Sequence, residues 1–271
     1  MSFQSSLSGI GAASEKLDVI GVNVANAQTV GFKETNVRFQ DIYANKMEGG
    51  QFGSGSVSAV KTQAFTQGGL QQSDNALDMA INGKGFFQVM RSDGSLAYTR
   101  TGQFHVDKDK YLVTPEGDKV MGASGPIQID SAKYGNTIRI SSDGVIQASD
   151  GVTRGPSKEV PDPVSIGKTI TQQGDLVYQT IGAVQLHEFR NEDGLESLGD
   201  NLWGETSASG ARIFGQPGSG VFGTVESGMT EASNVDLNEN LVDMIVAQRE
   251  YQGNAQALKI QVDMDTSLAK L

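Results

Sequence analysis

Two hydrophobic rhythms run along this chain, one at its ends and another through its middle. From Ser2 to about Gln28 there is no proline, and apolar or small residues recur at Phe3, Leu7, Ile10, Ser14, Leu17, Gly21 and Val24. Alternating steps of four and three mark a heptad seam on one helix. Ser14 and Gly21 weaken that seam, so the isolated helix is marginal in water and needs a partner. The other end repeats the rhythm at Leu237, Leu241, Met244, Gln248, Tyr251, Ala255, Leu258 and Val262. Asp236 and Glu239 stand at capping-box spacing ahead of it. A helix from about 236 to near the end of the chain would be roughly 50 Å long at 1.5 Å per residue. Two such ends can pair only if everything between them folds back.

Between them the rhythm changes to short β-type runs: Phe86 to Met90, Ala97 to Arg100, Gln103 to Val106, Tyr111 to Thr114, Thr137 to Ser141, Val184 to Phe189 and Arg212 to Phe214. Ser92-Asp93-Gly94, Pro115-Glu116-Gly117, Asp143-Gly144 and Asp193-Gly194 supply turn chemistry between them. The expected fold is α+β, with N- and C-terminal helices forming a coiled coil and a central, mainly antiparallel β domain between them in sequence. Expected boundaries are 1–30 for the first assembly helix, 31–75 for an extended connector, 76–233 for the β domain and 234–271 for the second helix. Glu48 to Ser58, rich in Gly, Ser and Gln, reads as linker, and Val152 to Pro163 as a long loop.

Composition narrows the function. The 271 residues contain no cysteine, which excludes a disulfide framework, a thiolate metal site and a cysteine nucleophile. A formal charge of −11 repels phosphate backbones and anionic lipid, so neither nucleic acid nor a membrane surface is an expected partner. No run approaches the ~20 apolar residues of a membrane span. Met1 to Ile10 show neither a basic n-region nor an apolar h-region, so export, if it occurs, is expected to use another machine.

No catalytic, cofactor or metal site is expected. His105 and His187 lie eighty residues apart in strand-like runs, and a structural or surface role suits them better than ligation. Gly167-Lys168-Thr169 matches the end of a phosphate loop, but Asp162 stands where the leading glycine belongs. Gly83-Lys84-Gly85 precedes a strand rather than a helix, and so reads as a tight turn. The acidic pairs Glu192-Asp193 and Asp107/Asp109 flank turns and are expected to be solvated. An enzyme acting on polysaccharide from a β scaffold would need a cleft with converging carboxylates. The terminal seams leave two readings open: core helices of an ordinary α+β fold, or helices that pack among many copies. Their Gly, Ser, Ala, Gln and Asn positions bury little area and favour the second.

Asn23-Val24-Ala25-Asn26-Ala27-Gln28-Thr29-Val30-Gly31-Phe32-Lys33 strongly resembles the signature of bacterial flagellar rod and hook proteins. Met79 to Phe87, Tyr98 to Phe104 with Leu112-Val113-Thr114, and Ser233 to Leu237 leading into Met244 to Gln252 agree with it. The resemblance implies a helical homopolymer in the flagellum: a tube whose inner wall is the paired helices, with the β domain outside. It makes Leu7, Ile10, Leu17, Asn23, Val24, Asn26, Gly31, Phe32, Leu237, Leu241, Met244, Tyr251, Leu258 and Val262 the expected assembly residues. Gly31 and Phe32 would end the first helix with a turn and an apolar anchor, and the Asn side chains would satisfy frayed backbone groups. It implies as partners other copies of the chain, the distal rod, hook–filament junction and hook cap proteins, and the flagellar type III export apparatus. The opening Met1 to Gly9 and Val246-Ala247-Gln248-Arg249 resemble hook proteins of the extracellular hook. The chain length resembles distal rod proteins of the periplasm-spanning basal body.

Overall fold

The computed structural model describes residues 3–44, 52–130, 138–153 and 176–268. Residues 154–163 of the expected loop, the Gly167-Lys168-Thr169 element and the first part of the Glu48 to Ser58 segment lie outside them. By its internal contacts the chain divides into two compact units. A helical unit takes residues 1–29, 33–66 and 233–271, and a β unit takes 30–32 and 67–232.

The helical unit holds α1 (Phe3–Ala25), strands β1 (Thr35–Ala44) and β2 (Phe52–Gln63), and α2 (Leu237–Leu268). Asp236 caps α2 as expected, its carboxylate accepting from the amides of Asn238 at 2.8 Å and Glu239 at 3.2 Å. Where a connector was expected, β1 and β2 pair antiparallel, Thr35 opposite Gln63 and Arg38 opposite Val60, with an irregularity near Asp41. A two-stranded hairpin alone is marginal in water. Here α1 packs on it, and Lys61 of β2 bonds Glu15 of α1 at 2.6 Å.

The β unit begins with β3 (Leu70–Gln72), β4 (Met79–Asn82), β5 (Phe86–Met90), β6 (Leu96–Thr99), β7 (His105–Val106) and β8 (Leu112–Val113). It continues with β9 (Lys119–Gly122), β10 (Gly125–Pro126), β11 (Ile138–Ile140), β12 (Val145–Thr153), β13 (Leu176–Ala183) and β14 (Leu186–Glu188). It ends with β15 (Glu196–Gly199), β16 (Leu202–Gly204), β17 (Ile213–Gly215), β18 (Thr224–Ser227) and β19 (Met229–Glu231). Every pairing is antiparallel. The main sheet runs β15-β16-β6-β5-β9-β8-β7, with β10 beside β9, β14 beside β5 and β17 beside β14. Smaller ladders join β11-β12-β13, β18-β4 and β19-β3. Gly83 and Gly85, both at positive φ, turn the chain from β4 into β5, as the sequence implied.

β5 is buried from Phe86 to Val89 without alternation because both its faces are covered, the Gln88 side chain included. Phe87 and Val89 join Met79, Ile81, Leu112 and Leu186 in the main core. Phe86, on the opposite face, packs edge-on against Trp203 at 5.7 Å and Phe189 at 6.2 Å. Tyr98 bridges this aromatic layer to His187, ring centroids 5.6 Å apart. His187 is buried, and among the described residues its Nδ1 has no hydrogen-bond partner. Loss of hydration, helped by the nearby Arg212 guanidinium, pushes its pKa down to about 4. His105, in contrast, is exposed. Among the described residues no group of three or more His, Cys, Asp or Glu is placed to hold a metal.

The segment Val30–Phe32 lies within the β unit. Gly31 adopts φ +71° and donates to the Glu231 carbonyl at 2.7 Å. A Cβ there would stand 2.7 Å from the Thr101 nitrogen and 2.8 Å from its Cα. Glycine is therefore required twice, by conformation and by the closeness of the Thr101 backbone. Gly31→Ala is expected to lower the denaturant stability of the β unit by at least the ~1–2 kcal/mol of a left-handed non-glycine residue. Urea titration followed by Trp203 fluorescence measures it.

A pH series tests His187. Its folded pKa lies below the unfolded value of 6.5, so its contribution to stability is complete above about pH 6.5 and is lost as pH falls towards 4. His187→Phe is expected to flatten the loss of stability across that window, at about 1.4 kcal/mol per pKa unit. An unchanged slope would show that other groups govern it.

Candidate assembly surface

The two terminal helices pack on each other antiparallel. Gly9 of α1 faces Asn254 of α2, whose amide nitrogen would stand 2.8 Å from a Cβ at Gly9. Asn23 donates to Asn240 at 3.3 Å. From Gly9 to Asn23 and from Asn240 to Asn254 are fourteen residues each, two heptads on both helices. Gly9 and Ala13 let the helix backbones approach closely, where a row of leucines would hold them apart.

At the Asn23 end polar groups set the register. The Asn23 amide pairs with the Thr35 backbone in both directions, accepting from its N–H at 3.0 Å and donating to its carbonyl at 2.9 Å. Asn240 donates to the Glu34 carboxylate and to the Asp236 carbonyl, both at 2.9 Å. Asn26 donates to the Val22 carbonyl at 2.8 Å and accepts from the Thr29 hydroxyl at 3.1 Å, tying off the last turn of α1. The Val22 carbonyl already accepts the Asn26 backbone N–H at 3.1 Å, so the Asn26 side chain adds a second bond there rather than satisfying a frayed group.

The covered face of α1 is one residue out of phase with the heptad read from sequence. Ser6, Ala13, Ile20 and Asn23 are buried, Ile10, Leu17 and Val24 are half-buried at the flank, and Leu7 is 54% exposed. On α2, Asn240 and Ala247 are buried and Met244, Asn254 and Leu258 half-buried. Of the expected α2 residues, Met244 and Leu258 thus lie in the covered row, Tyr251 lies in it but is 40% exposed, and Leu237, Leu241 and Val262 are exposed. The phase differs because small and polar side chains, which carry no hydrophobic signal, occupy the line of closest approach. Gly31 is buried and Phe32 half-buried in the β unit.

What remains uncovered is large. Leu237, Leu241, Val242, Ile245 and Val246 are all exposed, as are Ile260, Val262 and Met264 near the other end of α2. Between residues 241 and 247 apolar side chains point in every direction round the helix, the pattern of a helix buried on all sides. The single chain covers one side only. Among the described residues no helix is long and apolar enough to cross a membrane.

Sequence reasoning had passed over Lys33, Arg100, Glu231, Asn234 and Asn240. Lys33, Arg100, Glu231 and Asn240 are buried and polar, and Asn234 is half-buried with several hydrogen bonds. The one local signal was their position inside or beside blocks already singled out.

Comparison with known proteins places this architecture. Residues 3–33 match the family described as flagella basal body rod protein. Residues 80–148 match the flagellar hook protein FlgE/F/G D1 domain, and 226–271 the flagellar basal body rod FlgEFG protein C-terminal family. The flagellar basal-body rod protein FlgG of Bacillus subtilis is 34% identical over 284 residues, spanning 100% of this chain and 98% of that one. FlgG of Borreliella burgdorferi is 32% identical over 272 residues, 95% of this chain and 93% of that one. The flagellar hook protein FlgE of Escherichia coli is 29% identical over 405 residues, the whole of both chains. With matches across both terminal helices and the β unit, the chain belongs to the bacterial flagellar hook and rod axial proteins, a family of structural subunits.

Proposed function

We propose that this chain is a hook subunit, polymerising helically into the tube that links rod to filament and transmits torque. The observation that carries self-assembly is the exposed apolar circumference of α2. Each subunit offers different patches to its neighbours, and a rotation that does not close yields a helical tube. In that tube α1 and α2 form a coiled coil on the inner wall, and Leu7, Ile10, Leu17, Val24, Leu237, Leu241, Tyr251 and Val262 complete contacts between copies. Asn23, Asn26, Gly31, Phe32, Met244 and Leu258 shape the subunit that presents them. The ends of the tube meet the distal rod, junction and cap proteins, and the flagellar type III apparatus delivers the chain. Helices that fold only on addition would prevent early polymerisation, since ordering costs about 1–2 kcal/mol per residue of backbone until a neighbour buries the surface.

Hook identity is supported by the number of shared positions. Taking 29% of 405 residues, the hook protein of Escherichia coli shares about 117 identical positions with this chain. Taking 34% of 284, the rod protein of Bacillus subtilis shares about 97. Length supports the alternative, a distal rod subunit, because the hook alignment runs to 405 positions against 271 in this chain.

Leu241→Asp is expected to abolish polymer while leaving the β unit folded. Leu241 is exposed in the single chain, whereas in the tube its replacement would bury an unpaired carboxylate. Sedimentation and circular dichroism measure the two outcomes, and normal polymer would remove Leu241 from the interface. Electron microscopy of basal bodies from a strain lacking the gene separates the two identities. A complete rod without a hook supports the hook subunit, a rod that stops short makes it the distal rod, and normal flagella would refute both.

A further inference from the structure

The chain passes between its two units at four places, after residues 29, 32, 66 and 232. We infer that Glu231 in the β unit and Asn234 in the helical unit are latches of unequal strength, each gathering the three passing stretches on its own side. On this reading the stretches yield first at Asn234. The device does not depend on whether the chain builds hook or rod.

In the β unit all three stretches meet at Glu231. Its carboxylate is buried, faces Arg100 at 3.3 Å and accepts from the Gly68 amide at 2.9 Å. Its carbonyl accepts from Gly31 at 2.7 Å, and the following Ala232 amide donates to the Gly69 carbonyl at 2.8 Å. Arg100 is itself buried, its guanidinium 5.2 Å from the Phe86 ring centroid. Burial lowers the Arg100 pKa while the Glu231 carboxylate opposes the shift. A charge this far from water is tolerated only while its partners stay in place, so releasing Gly31 or Gly68 would leave buried polar groups unmatched.

Three residues later Asn234 makes the corresponding set. Its side-chain oxygen accepts from the Glu34 amide at 2.7 Å, and its nitrogen donates to the Ala64 carbonyl at 2.7 Å and the Thr66 hydroxyl at 2.8 Å. The Lys33 ammonium donates to the Thr66 carbonyl at 2.7 Å. The buried Lys33 ammonium ties 33 to 66, whereas the bonds from 234 to the other two stretches run through a neutral amide that is half-buried. Water can replace an amide's partners there at small cost, whereas the carboxylate of Glu231 is sealed from it.

Residue-resolved hydrogen exchange on the assembled polymer of the full-length chain, in which the terminal helices are folded, tests the inference. In the unaltered protein the Gly31 and Gly68 amides are expected to exchange at least tenfold more slowly than that of Glu34. Asn234→Ala should speed Glu34 exchange about tenfold and leave Gly31 and Gly68 unchanged. Glu231→Gln, which keeps the shape but leaves Arg100 without its counter-charge, should speed Gly31 and Gly68 while the Phe87 and Val89 amides of β5 stay slow. If Glu231→Gln fails to fold, the first two comparisons still decide. Equal protection of both sets in the unaltered chain, or loosening of both sets by Asn234→Ala, would overturn the inference.

Discussion

Asn23 and Asn240 are 217 residues apart in sequence, and the hydrogen bond between them closes almost the whole chain on itself. A second contact, Gly9 against Asn254, fixes the direction of that closure. α1 and α2 must run antiparallel, the hairpin of β1 and β2 must leave and rejoin beside them, and the β unit must return its last strand near the point where its first began. The seam that achieves this is made of Gly, Ser, Ala and Asn rather than leucine. Such a seam specifies register through hydrogen bonds and close backbone approach, at a cost in stability relative to an apolar one.

The two units divide the physical work. The β unit has a continuous core around Phe87, Val89, Leu112 and Leu186, with an aromatic layer behind β5, and keeps most of its large apolar side chains inside. The helical unit does the opposite, leaving Leu237, Leu241, Val242, Ile245 and Val246 in water. A monomer built this way is a stable body carrying an unfinished one, and the unfinished one gains most from neighbours.

The polar residues at the passages between the units show how little buried charge is needed to organise a chain. Glu231 and Asn234 sit three residues apart and bind through different groups, a buried carboxylate against a half-buried amide on a shorter stem. That difference sets how much each depends on exclusion of water, and so how firmly each holds its three segments.

Signals confined to neighbours in the chain were legible directly. Phe86 to Met90 forms a strand with the bounds read from its residues, Asp236 caps α2, and Gly83 and Gly85 turn β4 into β5, because these depend on local dihedral preference and on side chains within a few residues. The family was legible too, since its motif residues lie in short contiguous blocks. The hairpin of β1 and β2 was hidden, because its pairing joins residues up to 28 apart through a Gly- and Ser-rich stretch that signals linker. The phase of the helix seam was hidden as well: heptad reading follows large apolar residues, while the contact line runs over Gly9, Ala13 and Asn23. From sequence alone came the two terminal helices, the antiparallel β character of the middle and the family. Only the tertiary structure decided which helix face is covered and that Arg100, Glu231 and Asn234 gather the chain passages, because those outcomes rest on partners brought together from distant segments.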